Sequence, residues 1–195
     1  MYKLIVKRLL DIIVSLIALP FLILIVIVVS PIIVIDDGFP IFYNANRIGK
    51  DGKLFKMYKF RSMMNNAPDI RLENGDTYNA EDDPRVTKVG KILRKYSIDE
   101  LPQLFNVLIG NMSLIGPRPD PPDWLDRYTQ EEKAFLSVKP GITGYSQAYF
   151  RNSVDGKEKI KNDIYYSQNC SFLLDIKILI KTVISVFKSE NIYRN

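Results

Sequence analysis

The sequence predicts a mostly helical α+β fold in a monotopic membrane protein. Residues 1–38 are expected to form a membrane-embedded re-entrant helix-break-helix, and residues 39–195 a compact cytoplasmic domain with amphipathic interfacial helices. Three observations predict this. Residues 12–35 carry no charge, basic residues stand on both sides of that run, and the remainder alternates short extended, turn-rich and amphipathic helical segments.

The uncharged run, IIVSLIALPFLILIVIVVSPIIVI, would reach roughly 36 Å as one straight helix, enough to cross a bilayer core. A buried helix of a soluble domain would show a polar stripe, and here only Ser15 and Ser30 are polar. Lys3, Lys7 and Arg8 precede the run as they would in a signal peptide, but it ends in SPIIVIDD without a small-x-small cleavage site. Pro20 lacks the N–H that would bond to residue 16, and Ser30-Pro31 offers a second break. Arg47, Lys50 and Lys53 follow soon after, so the basic-residue rule places both flanks in the cytoplasm, which means a hairpin. A bent spanning helix is the alternative.

Lys and Arg total 27 against 22 Asp and Glu, a formal charge of +5. That balance suits anionic lipids, phosphorylated substrates or nucleic acid equally. The absence of histidine excludes a histidine-based triad and histidine metal ligands, and the single Cys170 excludes an intrachain disulfide or a multi-cysteine zinc site. Any metal is then held by oxygen, as magnesium is. Cys170 reads as a small buried residue.

Residues 41–60, IFYNANRIGKDGKLFKMYKF, place a KDG turn between two extended stretches, a β-hairpin pattern. Residues 64–85 are polar and turn-rich and read as a surface loop or lid. Val89, Ile92, Leu93 and Tyr96 then recur at helical spacing among Lys88, Lys91, Arg94 and Lys95, an amphipathic basic helix that is either a solvated face or a contact with phosphate or lipid head groups. No nucleic-acid reading motif accompanies these cations, so no nucleic-acid partner is expected. Residues 172–188, FLLDIKILIKTVISVFK, form a second amphipathic helix that packs in the core or lies in the membrane interface.

Between these helices lies YSIDELPQLFN. Ser97 and Glu100 have the spacing of a capping box, which places Asp99 and Glu100 in the first helical turn, where exposed N–H groups favour ionised carboxylates. Pro102 removes one intrahelical bond, so the turn is distorted or the helix begins later. Two neighbouring acids there are either simple first-turn residues or a nucleophile and a cation ligand. In GNMSLIGPRP, glycines and prolines fix turns around Arg118, whose guanidinium suits a phosphate or a carboxylate partner. In KPGITGYSQ, Gly141 and Gly144 flank Thr143 in a turn or a close backbone approach to a ligand; neither dinucleotide nor P-loop spacing is present.

Taken together, KRLLD at 7–11, RIG at 47–49, KFRSM at 59–63, DELPQLFNVLIGNMSLIGPRP at 99–119, PGITG at 140–144, and DIYY then DIKILIKT within 163–182 closely resemble the bacterial sugar transferase family, the small monotopic phosphoglycosyl transferases. The resemblance covers nearly the whole chain in order. It implies transfer of a sugar 1-phosphate from a UDP-sugar to undecaprenyl phosphate, giving undecaprenyl diphosphate sugar and UMP, at the cytoplasmic face of the bacterial inner membrane. Asp99 matches the family's nucleophile, which forms a covalent aspartyl-phosphosugar intermediate, and Glu100 its magnesium-associated acid. Arg118 matches the phosphate-binding arginine of the PRP turn. Lys59, Arg61, Thr143 and Arg151 fall in segments that line the polar site; Arg151 stands in YFRN, where the family often has an NGR-like sequence. Magnesium is the implied cofactor, anionic lipids the implied surroundings, and a homodimer is left open. With no additional N-terminal multi-span domain, the resemblance is to the minimal form of the enzyme. The sugar is not specified, nor whether the product enters capsule, O-antigen or another glycan.

Overall fold

The computed structural model describes residues 1–72, 78, 80, 82–150 and 153–188. After one π-helical turn, α1 runs from Lys7 to Asp37. It is rich in Ile, Leu and Val, most of them facing outward, and a helix satisfies its own backbone groups without water. The helix continues through Pro20 and Pro31, so the helix-break-helix expected from the sequence is not seen and one continuous helix with two prolines inside it stands in its place. Residues Tyr2–Asp37 are long and apolar enough to cross a membrane.

Asp11, Ser15, Leu22, Val29 and Ile33 are the buried residues of α1. Their spacing of four and seven puts them on one face, which packs onto the rest of the chain. Leu9, Ile13, Ile17, Phe21, Leu24 and Ile27 are among the apolar residues left exposed.

Both ends of α1 are tied to the same body. Near the N-terminus, Lys7 pairs with Asp175 at 2.6 Å, Arg8 donates to the carbonyls of Val107 and Leu108, and Asp11 accepts from Ser113 Oγ (3.0 Å) and Leu114 N (2.9 Å). At the other end, Asp36 accepts from Val89 N at 3.0 Å and Asp37 pairs with Arg61 at 2.7 Å. Gly38, at φ 69°, ends the helix.

The hairpin follows: β1 (Phe42–Ile48) pairs antiparallel with β2 (Leu54–Phe60), with Tyr43 opposite Lys59 and Arg47 opposite Phe55. Asp51 and Gly52, both at positive φ, make the turn. In the described part of the 64–85 segment, Arg85 bonds Asp83 through two nitrogens and reaches the carbonyls of Pro68 and Tyr78, which pins the loop. The amphipathic α2 (Lys88–Lys95) is capped by Thr87, whose hydroxyl accepts from Gly90 N at 2.9 Å. Leu93 faces the core with Val29, Ile33 and Phe60, while Ile92 is exposed.

Next come α3 (Gln103–Ile109), and β3 (Ser113–Ile115) paired in parallel with β4 (Gly141–Thr143). A Cβ on Gly116 would lie 2.3 Å from Lys139 O, so the glycines of the GPRP and PGITG segments let two backbones meet; Gly116 N donates to Thr143 O at 2.8 Å. The short α4 (Tyr145–Tyr149) leads to α5 (Gly156–Asn169) and α6 (Phe172–Lys188). Ile178 of α6 is fully buried with Tyr166 and Cys170, whereas Leu173, Leu179, Ile180, Val183 and Ile184 are exposed. One helix thus has a core face and an outward apolar face. Cys170 is buried, as its sequence context suggests.

Candidate active site

The two neighbouring acids lie in a 3-10 turn, Ile98–Glu100, ahead of α3. The expected capping box does not form. Ser97 is left-handed (φ 56°) with no capping side-chain bond, and α3 begins only at Gln103, because Pro102 has no N–H to extend the helix backward and is accommodated at its start. The acids therefore precede the α-helix instead of occupying its first turn. Successive residues of a tight turn point apart, and each acid meets its own cation.

Asp99 is 4% exposed, and its Oδ2 lies 2.9 Å from Lys59 Nζ at the end of β2. Glu100 Oε1 accepts from Arg118 Nη2 at 2.7 Å. Arg118 stands exposed on the turn after β3, and the Glu100 carboxylate, above all, holds its guanidinium pKa above the ordinary value. Sequence-distant Lys59, Asp99, Glu100 and Arg118 thus form one line of two ion pairs, with the two acids between the two cations.

Arg61 is not part of that line. It is 6% exposed, and its guanidinium is committed to the Asp37 carboxylate and to the carbonyls of Asp37 and Gly38. The position expected to bind phosphate instead ties down the C-terminal end of α1, because β2 ends beside that helix terminus. Thr143 is likewise engaged: its hydroxyl lies 2.8 Å from that of Thr182, joining β4 to α6. Arg151 lies outside the described residues.

A network behind Arg118 was not legible as such in the sequence, although DIYY includes one of its members. Lys159 lies 2.6 Å from Asp120 Oδ2 and 3.4 Å from both Asp163 Oδ2 and the Arg118 carbonyl. Tyr128 donates to Asp120 at 2.6 Å, and Ile48 N donates to Asp120 O at 3.0 Å. Burial pulls the Lys159 pKa down, but Asp120 and Asp163 outweigh it and the net direction is up. Burial raises the Asp163 carboxyl to about 6 despite Lys159. The turn carrying Arg118 is therefore held on three sides.

Magnesium fits these residues in a limited way. Among the described residues no group of three or more His, Cys, Asp or Glu side chains is placed to cage a metal. A protein carboxylate with substrate phosphates and waters is nevertheless a normal magnesium environment, and Glu100 with Asp99 beside it provides carboxylate oxygens.

Residues 2–189 match the family model described as bacterial sugar transferase. The chain is 41% identical to an undecaprenyl-phosphate galactose phosphotransferase of Salmonella typhimurium, over 96% of this chain and 41% of that protein. It is 39% identical to a UDP-N-acetylgalactosamine-undecaprenyl-phosphate N-acetylgalactosaminephosphotransferase of Aeromonas hydrophila, over 91% and 43% respectively. An uncharacterized sugar transferase of Bacillus subtilis, EpsL, is 42% identical over 96% of this chain and 90% of its own length. The chain thus spans about two fifths of the Salmonella and Aeromonas relatives and nearly all of the Bacillus one. With residues 2–189 matched by that family model, the chain belongs to the bacterial sugar transferase family.

Proposed function

We propose that the protein transfers a sugar 1-phosphate from a UDP-sugar to undecaprenyl phosphate, releasing UMP, through a covalent phosphosugar on Asp99. The observation that carries this reading is the pairing of each acid with its own cation: Asp99 with Lys59 and Glu100 with Arg118. A nucleophile must be ionised and desolvated, and the charge of the phosphoryl group it attacks must be offset by fixed cations.

In the first step an Asp99 carboxylate oxygen attacks the sugar-bearing phosphorus. The bond from that phosphorus to the bridging oxygen breaks, and UMP leaves with the electron pair. In the second step a phosphate oxygen of undecaprenyl phosphate attacks the same phosphorus and releases the Asp99 carboxylate. Lys59 pairs with the Asp99 carboxylate before attack and faces the phosphoryl oxygens once the Asp99 oxygen is shared with phosphorus. Arg118 binds a phosphate oxygen from its anchored turn. Glu100 is the residue that would hold magnesium, which when bound supplies further charge neutralisation on the phosphates.

The membrane seat follows from α1. A helix crossing the bilayer separates its ends by the roughly 30 Å hydrocarbon core. Here Lys7, Arg8 and Asp11 at one end and Asp36 and Asp37 at the other bind the same domain, which supports a helix that enters the membrane and returns, or lies within it, without crossing. Residues 1–38 then embed the protein in the bacterial inner membrane, with 39–195 on the cytoplasmic side among anionic lipids. This arrangement brings the lipid's phosphate to the site that receives the soluble donor.

The test is UMP release from a panel of UDP-sugars with magnesium and undecaprenyl phosphate, comparing the wild-type protein with Asp99→Asn. Release with at least one donor that needs both lipid and Asp99 is expected; equal release by the Asn variant would overturn the assignment.

A further inference from the structure

The RIG segment has no part in the reaction as described so far, yet its arginine occupies an unusual position. Directly opposed residues of an antiparallel pair share a face, as do alternate residues along a strand. Tyr43, Ala45 and Arg47 therefore share a face with Lys59, Met57 and Phe55. Met57 packs there against Val107 of α3, so this is the face turned toward the acids, and Lys59 at its near end reaches Asp99. Arg47 is four residues beyond Lys59's partner Tyr43, about 13 Å along the strand.

At that far end β1 is fastened to the Arg118 turn, since Ile48 N donates to Asp120 O at 3.0 Å. Arg47 is partly buried, and among the described residues its guanidinium bonds only the carbonyl of Asn46, at 3.1 Å. Among the described residues no carboxylate lies within ion-pair distance of it, whereas Arg61, Arg71, Arg85, Arg118 and Arg127 each have one. Its pKa is lowered by burial and next by the Arg118 guanidinium, with Tyr43 and Asp120 offsetting part of this, so Arg47 stands near a second cation with no carboxylate paired to it. Such an arrangement is costly unless an anion completes it.

We propose that Arg47, beside Arg118, binds the phosphate of the departing nucleoside monophosphate and forms the nucleotide side of the donor subsite. The inference rests on the UDP-sugar reading above. The two phosphates of such a donor are joined by one bridging oxygen. Arg118, bonded to Glu100, serves the phosphorus attacked by Asp99, and Arg47, beyond it, meets the phosphate that leaves.

The test compares wild type with Arg47→Gln and Arg47→Lys in lipid nanodiscs, using calorimetric binding of UMP alone and, separately, the KM for UDP-sugar and for undecaprenyl phosphate. Arg47→Gln should weaken UMP binding and raise the UDP-sugar KM by about 10- to 100-fold, the range of a lost charge-assisted hydrogen bond. Arg47→Lys should lose less, and the KM for undecaprenyl phosphate should stay within about twofold. Melting temperatures should not fall in Arg47→Gln, because among the described residues the side chain holds one carbonyl and its charge has no paired carboxylate. UMP affinity unchanged in Arg47→Gln would overturn the proposal, as would a rise confined to the KM for undecaprenyl phosphate, which would make the lipid's phosphate the ligand. Failure of the wild type to turn over any UDP-sugar would instead count against the transferase reading, while the UMP calorimetry still decides on Arg47.

Discussion

Asp163 offers a prediction whose size follows from the structure. Its carboxylate is fully buried in α5; among the described residues neither oxygen accepts a well-aligned hydrogen bond, and its ion-pair partner is Lys159 at 3.4 Å, shared with Asp120. The other group bearing on this cluster is Tyr128, held by Asp120. Burial raises the Asp163 pKa from 3.8 to about 6. A carboxyl with a raised folded-state pKa binds more protons folded than unfolded between those values, so its contribution to stability falls as pH rises through the window. Over two units that loss approaches about 3 kcal/mol in full, and about 2 kcal/mol of it falls between pH 4.5 and 7.5. Asp163→Asn removes the titration. Whatever the offset between the proteins at pH 4.5, the variant should gain about 2 kcal/mol relative to wild type by pH 7.5, or about 4–8 °C in melting temperature. Scanning fluorimetry of both proteins in the same detergent across that range reads the difference directly. A melting difference independent of pH, or one that moves against the variant as pH rises, would refute the reasoning.

Lys59→Met should lower kcat by about 10²- to 10³-fold, the usual result of deleting a fixed donor from a site of developing charge, with the UDP-sugar KM changing far less; steady-state kinetics separates the two. Arg61→Met should leave the UDP-sugar KM unchanged but cost about 3 kcal/mol, because the Asp37 carboxylate and the end of α1 lose their partner; melting and kinetics on the same sample distinguish this from a phosphate-binding role. Gly116→Ala would set a Cβ 2.3 Å from Lys139 O and 2.8 Å from Gly141 N, so it should destabilise the protein by about 3 kcal/mol or more and lower its melting temperature accordingly.

The sequence disclosed the elements with strong local causes. The uncharged run, the hairpin around KDG and the amphipathic α2 and α6 each follow from periodicity or turn chemistry, and each is present. The acids at 99 and 100 stood out by their neighbours. What pairs with them did not, because Lys59 and Arg118 arrive from strands and turns 40 residues upstream and 18 downstream, and no local pattern records such a meeting. The two cations of KFRSM show the same limit. Lys59 and Arg61 are two residues apart and look equivalent, yet the strand ends between them, so one reaches Asp99 and the other the end of α1. Ser97 and Glu100 had capping-box spacing, but a left-handed Ser97 and Pro102 set a different turn. KRLLD is clearer in structure than in sequence: its lysine, arginine and aspartate each bind a different element and moor α1 to the domain.

The two-step transfer requires Asp99 to carry the phosphosugar between donor and lipid. With lipid acceptor withheld, purified protein, magnesium, the UDP-sugar it uses and radiolabelled UMP should yield labelled UDP-sugar, since an enzyme-bound phosphosugar returns to UMP, and Asp99→Asn should abolish the exchange. No label in UDP-sugar from wild-type protein that transfers fully once undecaprenyl phosphate is added would contradict it and require the lipid to attack the donor directly.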